Sequence, residues 1–157
     1  MPAPQPPISE AELVARVARL AGLTLGALAA DLGVAAPLDL RHHKGWVGNL
    51  LEKALGATAG SRDEPDFADL GIELKTLPVD RSGKPLETTF VATIALSDVG
   101  VTPFEQSRVA RKLARVLWVP VLGERAVAVP ERLVGSAFVW SPSEAQRALL
   151  QFDWEEL

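Results

Sequence analysis

The sequence contains no cysteine, and its only two histidines, His42 and His43, are neighbours. The first absence excludes a disulfide framework and any thiolate metal site, and two adjacent imidazoles do not by themselves complete a zinc site. Any metal has to be held mainly by oxygen. No apolar run approaches the roughly 18 residues needed to cross a bilayer, and the opening MPAPQPPISE lacks the basic and apolar regions of a signal peptide. Together these features predict a cytoplasmic protein with no membrane partner. An excess of positive charge is missing too. Sixteen basic against twenty acidic residues leave a formal net charge of -4, which argues against a protein that coats nucleic acid through bulk charge. A nuclease is not excluded, because carboxylates that hold cations lower the net charge while basic residues elsewhere meet phosphates.

What is present is enough apolar sequence for one core. Over 157 residues, 48% are apolar and 23% charged, which predicts a single domain spanning 1–157. Ser9 and Glu12 stand in capping-box spacing ahead of the stripe Leu13, Val14, Val17 and Leu20, so a first helix begins there and Pro2 to Pro7 is a frayed leader. Thr24 caps a second helix, Leu25 to Leu32, closed by Gly33, and Gly45 to Leu55 reads as a third, closed by Gly56. Beyond GATAGSRDEPD the pattern changes to short apolar runs at Phe67 to Leu70, Gly71 to Val79 and Thr88 to Leu96, which predict strands. The polar stretch Asp80 to Pro85 would join two of them. A helix is expected from Pro103 to about Arg115, then a buried strand from Val116 to Val121. A hairpin return at Ala126 to Val129, a short strand at Ala137 to Trp140 and a last helix from Glu144 to Leu157 complete the reading. Trp46, Trp118 and Trp140 read as core, with Trp154 packing the last helix.

The candidate chemistry lies in the segment from Asp66 to Lys75. Glu73 and Lys75 are two apart, so on a strand both point to one face while Ile72 and Leu74 point to the other. Asp66 can converge on Glu73 to offer oxygens to Mg²⁺, which prefers carboxylates and water, and Lys75 can hold the attacking water or stabilise charge on phosphorus. The ordinary meaning of such spacing is a surface ion pair of roughly 0 to 1 kcal/mol. Placement beside apolar neighbours and an upstream carboxylate is what lifts it above that. Glu52 shares a helix face with Gly48 and is a further candidate across the cleft, against the alternative of a solvated helix glutamate. Lys44, at the start of the same helix, is a phosphate contact or simply solvated. Arg108, Arg111, Lys112 and Arg115 fall at i, i+3, i+4 and i+7, a basic stripe that either faces DNA or is balanced by acids such as Glu105.

The run KGWVGNLLEKALGATAGSRDEPDFADLGIELKTLPVDRSGKPLETTF resembles the MutH family of DNA mismatch-repair endonucleases. The likeness continues through GVTPFEQSRVARKLARVLWVPVLGER and VGSAFVWSPSE to DWEEL, and more loosely covers LAGLTLGALAADLG. It implies an α/β, restriction-endonuclease-like core in which a mixed sheet is flanked by helices, with a DNA cleft between two arms. By this resemblance the catalytic Asp, Glu and Lys are Asp66, Glu73 and Lys75, the additional glutamate is Glu52, and Lys44 and Lys112 line the cleft. The implied cofactor is Mg²⁺, as one or two ions. The implied activity is nicking of the unmethylated strand at hemimethylated GATC sites in double-stranded DNA, stimulated by MutL after MutS has found a mismatch.

One departure accompanies the likeness, since members of the family continue beyond the DWEEL segment into a portion that reads sequence and methylation. The expectation is therefore a catalytic core lacking that portion. Two other readings stay open at this point: a restriction-type nuclease with a different site, and a DNA-binding or MutL-docking module without turnover.

Overall fold

A computed structural model of the protein describes residues 4–60 and 63–157. Three helices come first, α1 (Glu10–Ala18), α2 (Leu25–Asp31) and α3 (Trp46–Leu55). Side-chain caps start the first two: Ser9 accepts from the Glu12 amide and Thr24 from the Ala27 amide. Gly45, in the left-handed region, stands before α3 without a side-chain cap. Gln5 and Pro7, expected in a frayed leader, are docked instead. Arg16 donates to the carbonyls of both Gln5 and Leu55, Pro7 is buried, and a Cβ on Gly56 would lie 2.7 Å from the Gln5 carbonyl oxygen. Pro2 lies outside the described residues. Leu50, Leu51 and Leu55 form the buried stripe of α3, and among the described residues no helix is long and apolar enough to cross a membrane.

The sheet has three strands in the order β1 (Glu73–Val79), β2 (Val116–Leu122) and β3 (Phe138–Trp140). β1 and β2 are parallel, with Glu73 opposite Val116 and Leu74 opposite Leu117, and β3 runs antiparallel to β2. This is the mixed α/β arrangement expected from the sequence. Strand alternation sorts the residues: Leu74, Leu117, Val119 and Val121 join the helices in one buried cluster with Leu13, Leu25, Leu51, Leu55, Phe67 and Ile72. Glu73 and Lys75 consequently take the opposite face.

Several predicted elements form differently. Residues 68–70 make a 3₁₀ turn, not a strand. The stretch 88–95 joins no strand, and Phe90 and Leu96 are exposed. A return from β1 begins, with a bridge between Val79 and Pro85 and the Leu86 amide donating to Pro78, but prolines at 78 and 85 supply no N–H and no ladder follows. The hairpin partner of β2 is Leu133 to Gly135, not Ala126 to Val129. Leu122 donates to the Leu133 carbonyl and Gly135 to that of Pro120, while Val129–Glu131 is a 3₁₀ turn built on Pro130.

The helix expected from Pro103 to Arg115 is two pieces, a 3₁₀ turn at Phe104–Gln106 and α4 (Arg108–Leu113). Buried Ser107 is extended and caps α4 by accepting from the Ala110 amide, which divides them. A full capping box between Ser143 and Gln146 starts α5 (Glu144–Glu155). Trp154 is buried, its indole N–H on the Thr102 carbonyl, while the other three tryptophans are only half-buried.

Candidate active site

The six residues between Asp66 and Glu73 form a closed turn. Phe67 and Ile72 exchange backbone hydrogen bonds at 2.9 and 3.3 Å, and the 3₁₀ turn Ala68–Leu70 lies between them. Gly71 completes it at φ +67°, in the left-handed region open to glycine at little cost. Both apolar ends of the turn are buried, so the core itself clamps it. The result is that Asp66 folds back beside the start of β1. Its Oδ2 accepts from the Leu74 amide at 2.9 Å, and the Asp66 amide donates to Glu73 Oε2 at 3.3 Å.

Glu73 is 2% exposed and takes two ammonium groups. Lys75, two residues along the same face of β1, brings its Nζ to 3.1 Å from Oε1. Lys112 of α4 donates to Oε1 at 3.2 Å, to Oε2 at 3.1 Å and to the Glu64 carbonyl at 3.2 Å, so all three of its ammonium directions are used in a buried setting. A buried carboxylate is tolerated only when paired and hydrogen-bonded in this way.

Glu52, on α3, faces the same cluster. Burial pushes its carboxyl up to about 7, and the charges of Asp66 and Glu73 push in the same direction against Lys75 and Lys112. Asp66 is raised as well, first by burial and then by Glu73. Three carboxyl groups thus compete for two lysines, an imbalance that a further cation would relieve. The donors are all oxygen. Among the described residues no three acidic or histidine side chains are gathered into a metal cage, so a cation held by Asp66 and Glu73 would need water to complete its shell.

The structure therefore brings together Asp66, Glu73, Lys75 and Lys112 by direct contact, with Glu52 beside them. It does not gather the rest. Lys44 is exposed in the turn before α3, and an added Cβ at Gly48 would meet open space, as a face left free requires. The basic stripe does not exist as a unit, because α4 ends at Leu113 and Arg115 lies beyond it. Lys112 turns into the site. Arg115 binds Glu10 and the Ser141 hydroxyl, while Arg108 and Arg111 share Asp63. Helical spacing predicted four equivalent cations, whereas burial and acids from distant segments separated them. Glu105, expected to balance the stripe, pairs with Arg147 instead. Asp63 was not singled out from the sequence, and nothing in its local pattern distinguishes it from other loop acids.

The family model described as DNA mismatch repair enzyme MutH matches residues 55–153, a span that includes Asp66, Glu73, Lys75 and Lys112. The DNA mismatch repair protein MutH of Shewanella amazonensis is 55% identical over 157 residues, which cover 100% of this chain and 70% of that relative. A protein of the same description from Salmonella paratyphi A is 55% identical over 156 residues, covering 99% of this chain and 68% of its own length. Glu52 and Lys44 fall within these longer alignments though outside the span of the family model.

Proposed function

The chain belongs to the MutH family of DNA mismatch repair enzymes, and from that premise we propose that it is a Mg²⁺-dependent DNA endonuclease working through Asp66, Glu73 and Lys75. The observation that carries the proposal is the convergence of Asp66, Lys75 and Lys112 on one buried carboxylate, Glu73. A sheet that buries an acid with two lysines beside two further raised carboxyls is poorly suited to stability alone, since apolar packing would serve as well.

In this reading Asp66 and Glu73 hold the metal through carboxylate oxygens, in one- or two-ion form, and Glu52 supports it or its water from α3. When bound, Mg²⁺ would supply Lewis-acid stabilisation of the charge on the phosphoryl group. Lys75, fixed by the strand on the same face as Glu73, orients the attacking water. As that water gives up a proton to solvent and forms its bond to phosphorus, the bond from phosphorus to the leaving sugar oxygen breaks and that oxygen takes up a proton. Lys112, whose N–H groups are taken by Glu73 and the Glu64 carbonyl, holds Glu73 in place and adds positive charge beside the reacting phosphate. Lys44 and the arginines of α4 contact backbone phosphates outside the reacting one.

The finer assignment follows the family: nicking of the unmethylated strand at hemimethylated GATC sites, stimulated by MutL after MutS has located a mismatch, in the cytoplasm. The test incubates the 157-residue chain with hemimethylated and fully methylated GATC plasmids, with Mg²⁺ or EDTA and with or without MutL. Nicks confined to the hemimethylated plasmid and to Mg²⁺ are expected, and Asp66→Ala or Glu73→Ala should abolish them. Cleavage that survives both substitutions would place the centre elsewhere, and no nicking under any condition would overturn the enzymatic reading.

A further inference from the structure

Helix α4 sends its basic side chains to two different acids. Lys112 reaches the buried Glu73, whereas Arg108 and Arg111 converge on Asp63, whose side chain is 57% exposed. Arg111 Nη2 donates to Oδ2 of Asp63 at 3.2 Å. Arg108 Nε lies 2.8 Å from Oδ1, yet this buried N–H makes no hydrogen bond, so the carboxylate neutralises the charge without satisfying the donor. Each oxygen of one anion thus faces a different guanidinium, which is how a pair of arginines holds a phosphate.

The two guanidiniums are held in place by other groups. Arg108 Nη1 donates to the Thr93 hydroxyl at 3.2 Å and Arg111 Nη1 to the Gln106 carbonyl at 2.7 Å. A polar cavity of about 390 Å³ opens beside them, lined by Asp63, Thr93, Asp98, Gln106, Arg108 and Arg111. The backbone next to Asp63 is held separately, by Lys112 on the Glu64 carbonyl at 3.2 Å. Residues 108, 111 and 112 all belong to α4, so the same short helix carries the cavity's two arginines and the lysine of the buried cluster.

We infer that Asp63 is an internal stand-in for a DNA backbone phosphate: it occupies an anion site between Arg108 and Arg111, and a phosphodiester of bound DNA must displace it. Asp63 therefore lowers DNA affinity and sets a threshold for engagement of the neighbouring active site. The inference rests on the proposed DNA substrate and adds a particular phosphate site and a restraint on it. The tetrahedrally disposed oxygens of a phosphodiester also offer the Arg108 Nε–H a direction of approach that the planar Asp63 carboxylate does not.

The test measures binding of the whole chain to a fluorescent DNA duplex by anisotropy, without divalent metal so that no cleavage intervenes, across a salt series. Asp63→Asn should tighten binding about threefold to tenfold and steepen the dependence of log K on log salt by about one, as expected for one more neutralised phosphate. Asp153→Asn, the same charge change on the exposed face of α5, controls for bulk charge and should leave the slope unchanged. Arg108→Gln with Arg111→Gln should erase the gain made by Asp63→Asn. Unchanged affinity and slope in Asp63→Asn, or an equal gain from Asp153→Asn, would overturn the inference while wild-type binding left the DNA reading standing. Absence of duplex binding by the wild type at low salt would remove the DNA reading itself and this inference with it.

Discussion

Two acids in this molecule each bridge two cations and both reach the same short helix, yet their surroundings are opposite. Glu73 is held by Lys75 and Lys112 in a buried pocket, while Asp63 is held by Arg108 and Arg111 with much of its side chain in water. In the buried cluster Glu73 and Lys112 have lost nearly all their hydration, so the partners cannot part without leaving an uncompensated charge. In the exposed cluster water replaces whichever partner leaves, and the net value of the pairing is small. The first arrangement fixes the geometry of a buried charge cluster; the second leaves an acid whose partners water can replace.

The strongest way to break this contrast is Lys112→Met, which keeps the side-chain length and removes the ammonium. It should cost about 3 kcal/mol in urea denaturation, the low end for breaking a buried pair because Lys75 remains on Glu73, and nicking should fall with it. A loss under about 1 kcal/mol would show that the pocket behaves like the surface. Next in size, Gly71→Ala forces a Cβ into a φ of +67° and should cost about 1 to 2 kcal/mol in thermal denaturation. Because the turn delivers Asp66, nicking measured well below the melting temperature should fall too; full activity would show that Asp66 does not depend on this turn.

A smaller effect is expected from pH. Glu52 is raised from 4.5 to about 7 in the folded chain, so the folded state binds the proton more tightly than the unfolded state. That contribution to stability is fully present below about pH 4.5, is lost as pH rises to about 7 and stays lost above it. Glu52→Gln removes the loss, and should be more stable than wild type by about 1 kcal/mol at pH 8 after allowance for partial solvent screening. The two proteins should converge toward pH 4, and parallel curves across that range would contradict the shift. The upward shift of Asp66 has the same sign and leaves some residual slope in the variant. Smallest of all, Asp63→Asn should change stability by less than about 0.5 kcal/mol. A cost above about 1.5 kcal/mol would make Asp63 structural and dissolve the contrast.

How far the sequence was legible depended on the range of the forces involved. Caps and helical stripes act over a few residues, so Ser9 and Thr24 marked helix starts correctly. The alternation around Glu73 and Lys75 correctly placed both on one strand face with Leu74 on the other. Ser107 was missed as the break before α4, although its capping pattern is as local as the others. The 3₁₀ turn at 68–70, read as strand, was a second local miss, and the remaining failures were long-range. The β-branched stretch 88–96 lacked a partner, and propensity without pairing makes no strand. Val134 displaced the predicted 126–129 segment as neighbour of β2, a choice made by pairing across the fold.

The sequence by itself determined the acids and bases available for catalysis and, through strand periodicity and family likeness, which of them belong together. Asp66, Glu73 and Lys75 sit within ten residues, close enough for one turn and one strand to assemble them. Only the tertiary structure decided what the other charges do. Lys112 and Arg111 are adjacent in the chain, yet one is drawn into the buried pocket by Glu73 and the other is left at the surface with Asp63. Their partners lie 39 and 48 residues away, and no local pattern encodes which acid a folded chain will bring within about 3 Å of a given base.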